Sequence, residues 1–469
     1  MPVKLYRRPD DFNESLAAMY YHPEKANDAS VASRCITFQV TDACNLRCSY
    51  CYQTNKGTRV MPVETAKALI DLILSGEKGF REYLSSEFTT GINLDFIGGE
   101  PLLALEVIDQ AIDYFHSQTL KQKHPWKNKW RASITTNGTI YTDEVKRFLT
   151  KHENHLSYSV TVDGSKQLHD ACRKFPDGSP SYELAMATVR DRRKQGYYVG
   201  NKLTISPENL PYLYEAIVTM AENGYQDINA NCVFENVWKQ EDAALFYQQL
   251  KKLADYLLEG ERFRHMDCSL FNCSFFVPHT ASDNKNYCGG TGLMLAMDPD
   301  GWLYPCLRYM ESSIGTEYPA YRIGNLWEGI GQSEEYQKRI DEIKHINRRT
   351  QSTDACFYCP IGFGCAWCSA YNYQCFGTAN QRATYICEMH KARALANVYY
   401  WNKLFQLESP NTHLTLWVPR EWALAILKET EYEQLLELSA SKPMTVEEAY
   451  QKAKVFVDSG RWYDYGYQV

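Results

Sequence analysis

The stretch CNLRCSYC, residues 44–51, follows the strand-like segment Ile36–Val40 and sets Cys44, Cys48 and Cys51 in the spacing CxxxCxxC on a loop after a strand. Thiolates so spaced can surround one soft metal centre from a compact loop. Structural zinc sites usually pair two CxxC knuckles and supply four ligands, whereas this loop supplies three and leaves a position open. A reduced cysteine cluster, or a zinc knuckle completed from afar, is the bland alternative.

Outward from this loop, short apolar strands alternate with amphipathic helices, the pattern of a mostly parallel sheet covered by helices. Pro62 opens a helix over ETAKALIDLIL that stops at Gly76, and Ile92, Leu94 and Phe96 alternate in the strand INLDFI. Leu105, Ile108, Ile112 and Phe115 recur at helical spacing. ASITTN, LSYSVTVDG, NKLTIS and INANCVF bring the count to about six strand and helix alternations by residue 235. A partial barrel would put the loops after these strands on one catalytic face, and periodicity alone does not separate it from an open doubly wound sheet. Three of the strands end in polar turns: GGEP after INLDFI, TTNG at Thr136–Gly138, and TVDG at Thr161–Gly164. A tight turn explains each of them taken singly.

The chain has 469 residues, 44% hydrophobic and 23% charged, enough for a sizeable core and about three domain equivalents. Its net charge of −7 gives no reason to expect a nucleic-acid footprint over the whole surface. Sixteen cysteines are too dilute for a disulfide miniprotein and too many for a reduced chain whose thiols have no role. The opening MPVKLYRRPDDFNESL lacks an apolar stretch, and no run near 20 apolar residues occurs. The expectation is a cytoplasmic protein with no membrane and no nucleic-acid partner, whose thiols bind metal. Eight of them fall between Cys288 and Cys387: Cys288, Cys306, then Cys356-x2-Cys359-x5-Cys365-x2-Cys368, Cys375 and Cys387. Two zinc sites or two cubane clusters would use the same eight.

CNLRCSYCY resembles the signature of radical S-adenosylmethionine (radical SAM) enzymes. The resemblance implies that Cys44, Cys48 and Cys51 hold a [4Fe-4S] cluster, that S-adenosylmethionine fills the open position, and that reductive cleavage yields a 5′-deoxyadenosyl radical. It also assigns Tyr50, Gly98, Gly99, Glu100, Asn137, Thr161 and Arg173 to cofactor contact. Tyr50 would lie near adenine, GGE would hold the methionine amino group, and Thr161 replaces the usual Ser of an SxDG-like stretch. His169 is read as a structural or substrate-side group rather than a general base.

The late block is similar to the SPASM auxiliary domain, departing from it in the two residues between Cys365 and Cys368 where the family usually has three. The implied outer cluster is held by Cys356, Cys359, Cys365 and Cys387. Cys288, Cys306 and Cys368 contribute to an inner one, with Cys268, Cys273 or Cys375 as an additional ligand, or with an iron left open for a substrate thiolate. The total is three [4Fe-4S] clusters. The implied fold is α/β: a partial (β/α)6 TIM-like barrel at 34–240 after an N-terminal segment 1–33, a helical bridge at 241–285, the SPASM domain at 286–395 and a helical C-terminal appendage at 396–469.

CPIGFGCAWCSAYNYQC and its continuation look like peptide maturases associated with CXXX-repeat targets. That subgroup implies a ribosomally made, Cys-containing precursor peptide, a thioether cross-link from Cys sulfur to a carbon of another residue, and a reducing donor such as ferredoxin or flavodoxin. Carbon–carbon cross-linking shares the same cofactor architecture. Anaerobic sulfatase maturation is a rival whose members place an Asp directly after the inner Cys, where this chain has Leu307. A non-catalytic iron–sulfur electron-transfer protein is a fourth reading. Some peptide maturases carry a leader-binding winged-helix module of about 80 residues, and the 34 residues before Cys35 are too few for one.

Overall fold

Period-two alternation decides which way each early strand faces. In β2 (Ile92–Gly98) Ile92, Leu94 and Phe96 are buried while Asn93 and Asp95 are only partly so. The same split recurs in β3 (Trp130–Thr136), where Trp130, Ala132 and Ile134 are buried and Ser133 and Thr135 lie on the other face. The apolar faces pack under helices, each large side chain contributing about 2 kcal/mol by leaving water. Phe38 of β1 (Arg34–Thr41) stacks on Phe96 with ring centroids 5.1 Å apart. The polar faces line a lumen.

This computed structural model describes residues 34–84, 91–271, 277–278, 288–315, 317–363, 365–408, 413–459 and 467–468. The N-terminal segment 1–33 and Cys273 lie outside the described residues. β1 to β3 are followed in the sheet by β4 (Leu156–Val160) and β5 (Gly200–Asn201), all neighbours parallel. Beyond the single residue Lys202 the chain resumes as β6 (Leu203–Ile205), which pairs in parallel with β7 (Ala230–Cys232). Helices at Val63–Ser75, Leu105–Lys121, Asp143–Lys151, Tyr182–Lys194 and Leu213–Glu222 connect successive strands. The helix over Val63–Ser75 shows why the segment stops where it does: Ala66, Leu69, Ile70 and Ile73 form its buried stripe, and Gly76 ends it at φ 71°. With β5 and β6 taken as one broken strand, six strands joined by five helices are therefore present.

The late cysteine block is joined to this sheet. β8 (Met294–Met297) lies parallel to β1 on the side away from β2, with Cys35 opposite Met294 and Phe38 opposite Met297. Antiparallel β9 (Trp302–Tyr304), β10 (Gly324–Asn325) and β11 (Gly329–Ile330) extend it to nine strands. A long helix over Gln240–Leu258 packs along another at Cys387–Glu408. Short helices at Arg420–Leu424, Glu429–Leu438 and Val446–Ser459 close the described chain. No helix among the described residues is long and apolar enough to cross a membrane.

Candidate functional site: a thiol-lined chamber at the strand ends

β1 ends in a loop held rigidly before the first cysteine. Thr41 Oγ1 donates to the Arg59 carbonyl at 2.8 Å and accepts from Ala43 N–H at 3.1 Å. Asp42 is buried, accepting from Gln39 at 2.7 Å and from Arg59 Nε at 2.6 Å. The glycines of GGEP explain how β2 meets this loop. Gly99 N–H donates to the Thr41 carbonyl at 3.0 Å and Glu100 N–H to the Ala43 carbonyl at 2.8 Å. A Cβ on Gly99 would overlap the Ala43 carbonyl and sit 2.7 Å from Cys44 Cβ. The absent side chain thus admits the cysteine loop itself, a reason that spacing alone does not supply.

Glu100 is 1% exposed, and its carboxylate ties two turns together. Oε1 accepts from Leu102 N–H at 3.1 Å and from the Thr136 hydroxyl at 2.6 Å, and Oε2 accepts from Asn137 N–H at 2.8 Å. Burial raises its pKa against the opposing pull of these bonds. A carboxylate offers about four acceptor positions, so one remains for a further donor. Asn137 donates to Asn45 Oδ1 at 2.7 Å, fastening the TTNG turn to the cysteine loop.

Tyr50, Asp163 and Arg173 form a buried relay. The Tyr50 hydroxyl donates to Asp163, and Arg173 donates to that hydroxyl at 2.8 Å. Arg173 Nε is buried with no acceptor among the described residues. An anionic group entering there would satisfy a donor that is otherwise costly to leave unmade. His169 is fully buried, accepts from Asp163 N–H at 3.3 Å and meets the Ser181 hydroxyl at 3.0 Å. Burial and the nearby Arg173 push its pKa down to about 3, so it is a neutral structural group at pH 7.

These elements enclose a cavity of about 430 Å³. Its walls include Cys44, Cys48 and Cys51 together with Tyr50, Gly98, Gly99, Glu100, Asn137, Thr161 and Arg173, the residues that the resemblance assigned to cofactor contact, whereas His169 does not line it. The opposite wall brings Leu307, Arg308 and Cys368 from the late block. Arg308 donates to Glu235 at 2.8 Å and lies 4.9 Å from the Tyr52 ring centroid. Below the cysteine loop the walls carry Asp95 and Lys202.

The late thiols separate into two groups. Cys306 is buried and Cys368 partly so, and desolvation together with the neighbouring Cys288 thiol raises the pKa of both. Cys288 Sγ lies 3.0 Å from Ser369 Oγ. The second group is Cys356, Cys359, Cys365 and Cys387, each of the last three acted on by its neighbours' charge. Burial pushes the Cys359 thiol up to about 12. Cys365 goes the other way: burial opposes its ionisation, but Arg382 and His390 outweigh it and hold the thiol below its ordinary range. Arg382 donates to Cys356 Sγ at 3.5 Å and to the Cys365 carbonyl at 2.8 Å. The last helix sets Tyr450 within electrostatic reach of Cys359, Cys356 and Cys387.

Two of the candidates for an additional ligand are described. Cys268 is buried beside Asp267 and Arg393, which Cys232 also faces. Cys375 hydrogen-bonds Tyr371 and faces Glu235 and Glu317. Among the described residues no three thiol sulfurs lie within 4.8 Å of one another. Four thiolates around one zinc at about 2.3 Å stand about 3.8 Å apart, so the donor sets are spread more widely than a single ion draws them. Asn45, Asp163 and Arg382 complete the site and were missed by spacing. Asp163 had a signal in its place within TVDG, whereas Arg382 had none.

Residues 38–216 match the Radical SAM superfamily. The chain is 24% identical over 331 residues to the serine-type anaerobic sulfatase-maturating enzyme of Bacteroides thetaiotaomicron, covering 65% of this chain and 73% of that protein. In fold it is similar to anSMEcpe with bound AdoMet, with a TM-score of 0.57 and 17% identity over 84% of this chain and 98% of that one. It is also similar to Streptococcus suis SuiB bound to precursor peptide SuiA, with a TM-score of 0.52 and 14% identity over 80% of each chain.

Proposed function

We propose that the chain, whose residues 38–216 match the Radical SAM superfamily, is a maturase of a ribosomally made, Cys-containing precursor peptide that joins the Cys sulfur to a carbon of another residue. The observation that carries this reading is the shared chamber: Cys368 of the late block lines the same cavity as Cys44, Cys48 and Cys51. A peptide in that chamber can present a carbon to one side and a sulfur to the other.

In this reading Cys44, Cys48 and Cys51 hold a [4Fe-4S] cluster, and the donor chemistry fits, because three thiols on one wall leave a fourth position to a ligand. Bound there, cluster and S-adenosylmethionine supply reductive cleavage and a 5′-deoxyadenosyl radical that abstracts hydrogen from carbon. The protein's part is positioning. Glu100 keeps one acceptor position for an ammonium group, and the unmet Arg173 Nε suits a carboxylate or hydroxyl. Cys356, Cys359, Cys365 and Cys387 supply a complete set for one auxiliary cluster, with Arg382 offsetting thiolate charge from within hydrogen-bonding distance. Cys288, Cys306 and Cys368 supply three donors for a second, so that three [4Fe-4S] clusters are expected and the inner one retains a position for the peptide sulfur. A ferredoxin or flavodoxin is the class of electron donor the reaction needs.

Sulfatase maturation is the second reading, favoured by the Bacteroides relative. Directly after Cys306 stand Leu307 and Arg308, so that position carries no carboxylate, and the wall's Glu235 is held by Arg308 at 2.8 Å. Anaerobic incubation with a Cys-containing precursor peptide, S-adenosylmethionine and reductant separates the readings by tandem mass spectrometry with thiol alkylation. The expected product has lost two hydrogen atoms, has a Cys blocked to alkylation and fragments as a cross-linked pair. A free, alkylatable Cys in a cross-linked product would move the assignment to carbon–carbon coupling, and formylglycine in place of Cys would overturn peptide thioether formation.

A further inference from the structure

Lys202 stands at the break between β5 and β6, and its side chain enters the lumen. The residue is solvent-accessible, yet the surface it reaches is a cavity wall: it lines the thiol chamber and a second, polar cavity of about 320 Å³ with Thr135, Ser159 and Asn231. The amine has no hydrogen-bonding or ion-pairing partner among the described residues. The charged groups facing it are Asp95 across the lumen and Arg308 on the opposite wall. Enclosure and the second cation both weaken its hold on the proton, and Asp95 acts the other way. Asp95 is itself held by Ser133 at 2.6 Å and does not reach the amine.

A thioether cannot form while sulfur keeps its proton. A peptide thiol of pKa about 8.5 is only about 3% ionised at pH 7, so a base inside the chamber has a defined task. We propose that Lys202 Nζ is that base, taking the S–H proton of the peptide Cys. The S–H bond breaks, an N–H bond forms, and both S–H electrons remain on sulfur, so the step itself needs no oxidant. Donor and acceptor are closest in pKa when the lysine is lowered toward the thiol range, the condition under which proton transfer is efficient. The resulting ammonium then stands among polar groups and opposite Asp95. This inference rests on the thioether reading and adds the proton acceptor to it.

The test compares Lys202→Met and Lys202→Arg with the wild-type enzyme, measuring cross-linked peptide formed per 5′-deoxyadenosine between about pH 6.5 and 9.5. Arginine keeps charge and bulk but does not give up its proton, so a folding defect in the methionine variant does not decide the outcome. Both variants are expected to lose about tenfold or more in this ratio at pH 7 and to recover near pH 9, where the peptide thiol ionises unaided. A wild-type ratio at pH 7 in either variant would overturn the proposal. So would a loss that persists at every pH, or a rise in KM alone, which would make Lys202 an anchor for a peptide carboxylate. Competitive acetylation of the wild-type protein gives a readout independent of turnover: Lys202 should titrate below the ordinary lysine range, and titration within that range would also refute it. If the wild type forms no thioether on a peptide it demonstrably converts, the functional reading falls and takes this step with it, whereas a thioether-forming wild type with unaffected variants refutes Lys202 alone.

Discussion

Gly99→Ala should abolish S-adenosylmethionine cleavage while leaving the chain folded. The added methyl would overlap the Ala43 carbonyl and lie 2.7 Å from Cys44 Cβ, inside the distance that real Cβ atoms keep. The carbonyl is fixed by Glu100 N–H at 2.8 Å and Gly99 N–H is fixed on Thr41, so the strain is relieved by moving the cysteine loop. Overpacking of this kind costs about 1–3 kcal/mol, which a domain of this size tolerates. Displacement of a reacting group by about 1 Å costs about a hundredfold in rate. The expected result is a drop of at least that size in 5′-deoxyadenosine formation, with iron reduced by about four atoms of about twelve and circular dichroism unchanged. Full activity in this variant would show that the contact between GGEP and the cysteine loop does not position the cluster ligands.

Arg382→Met should empty the second late thiol group and leave the first loop intact. Arg382 is 9% exposed and its guanidinium contacts Cys356 Sγ and the Cys365 carbonyl while covering Trp367 at 4.2 Å. It is the leading influence holding Cys365 below the ordinary thiol range, so without it burial prevails and that thiol's pKa rises. In the metal-free protein the sign follows directly. A thiol whose folded pKa is depressed contributes stability above its unfolded value, and that contribution is lost as pH falls through the folded one. The variant should therefore lose stability most at alkaline pH, and losing a partner of buried charge costs about 3–5 kcal/mol. In the iron-loaded protein, iron should fall by about four atoms while reductant-dependent cleavage of S-adenosylmethionine persists and cross-linked peptide fails to accumulate. Retention of all iron would show that the guanidinium is not needed to hold the group. Arg382→Lys keeps charge but not the planar fork, and is expected to recover only part of the iron.

The two variants also mark what could be read from sequence. Alternation in INLDFI sends Ile92, Leu94 and Phe96 under the helices and Asp95 into the lumen, so both the strand and the polar character of its inner face follow from a period of two. The cysteine loop, GGEP, TTNG and TVDG were legible because each ends a strand, and parallel strands deliver all such ends to one side. The bond from Glu100 to Asn137 and the Tyr50–Asp163–Arg173 relay were not, since they join residues 37 to 123 positions apart through rotamers that no local pattern encodes. Met294–Met297 was hidden for a different reason. Four residues in a Gly- and Cys-rich stretch carry too little periodicity to announce a strand, yet pairing with β1 joins the late block to the first sheet. Arg382 lies in GTANQRAT, where charge placement has no spacing rule, and Lys202 reads as an ordinary surface lysine until the curvature of the sheet turns it inward.

In the proposed function Cys44, Cys48 and Cys51 drive cleavage of S-adenosylmethionine in the chamber they share with Cys368. The most direct measurement is 5′-deoxyadenosine formed by the anaerobically iron-loaded protein with S-adenosylmethionine and dithionite, wild type beside Cys44→Ala. Reductant-dependent 5′-deoxyadenosine is expected from the wild type, containing about twelve irons per chain, and none above background from the variant. Cleavage that survives in Cys44→Ala, or a wild-type protein that loads zinc and forms no 5′-deoxyadenosine, would contradict it.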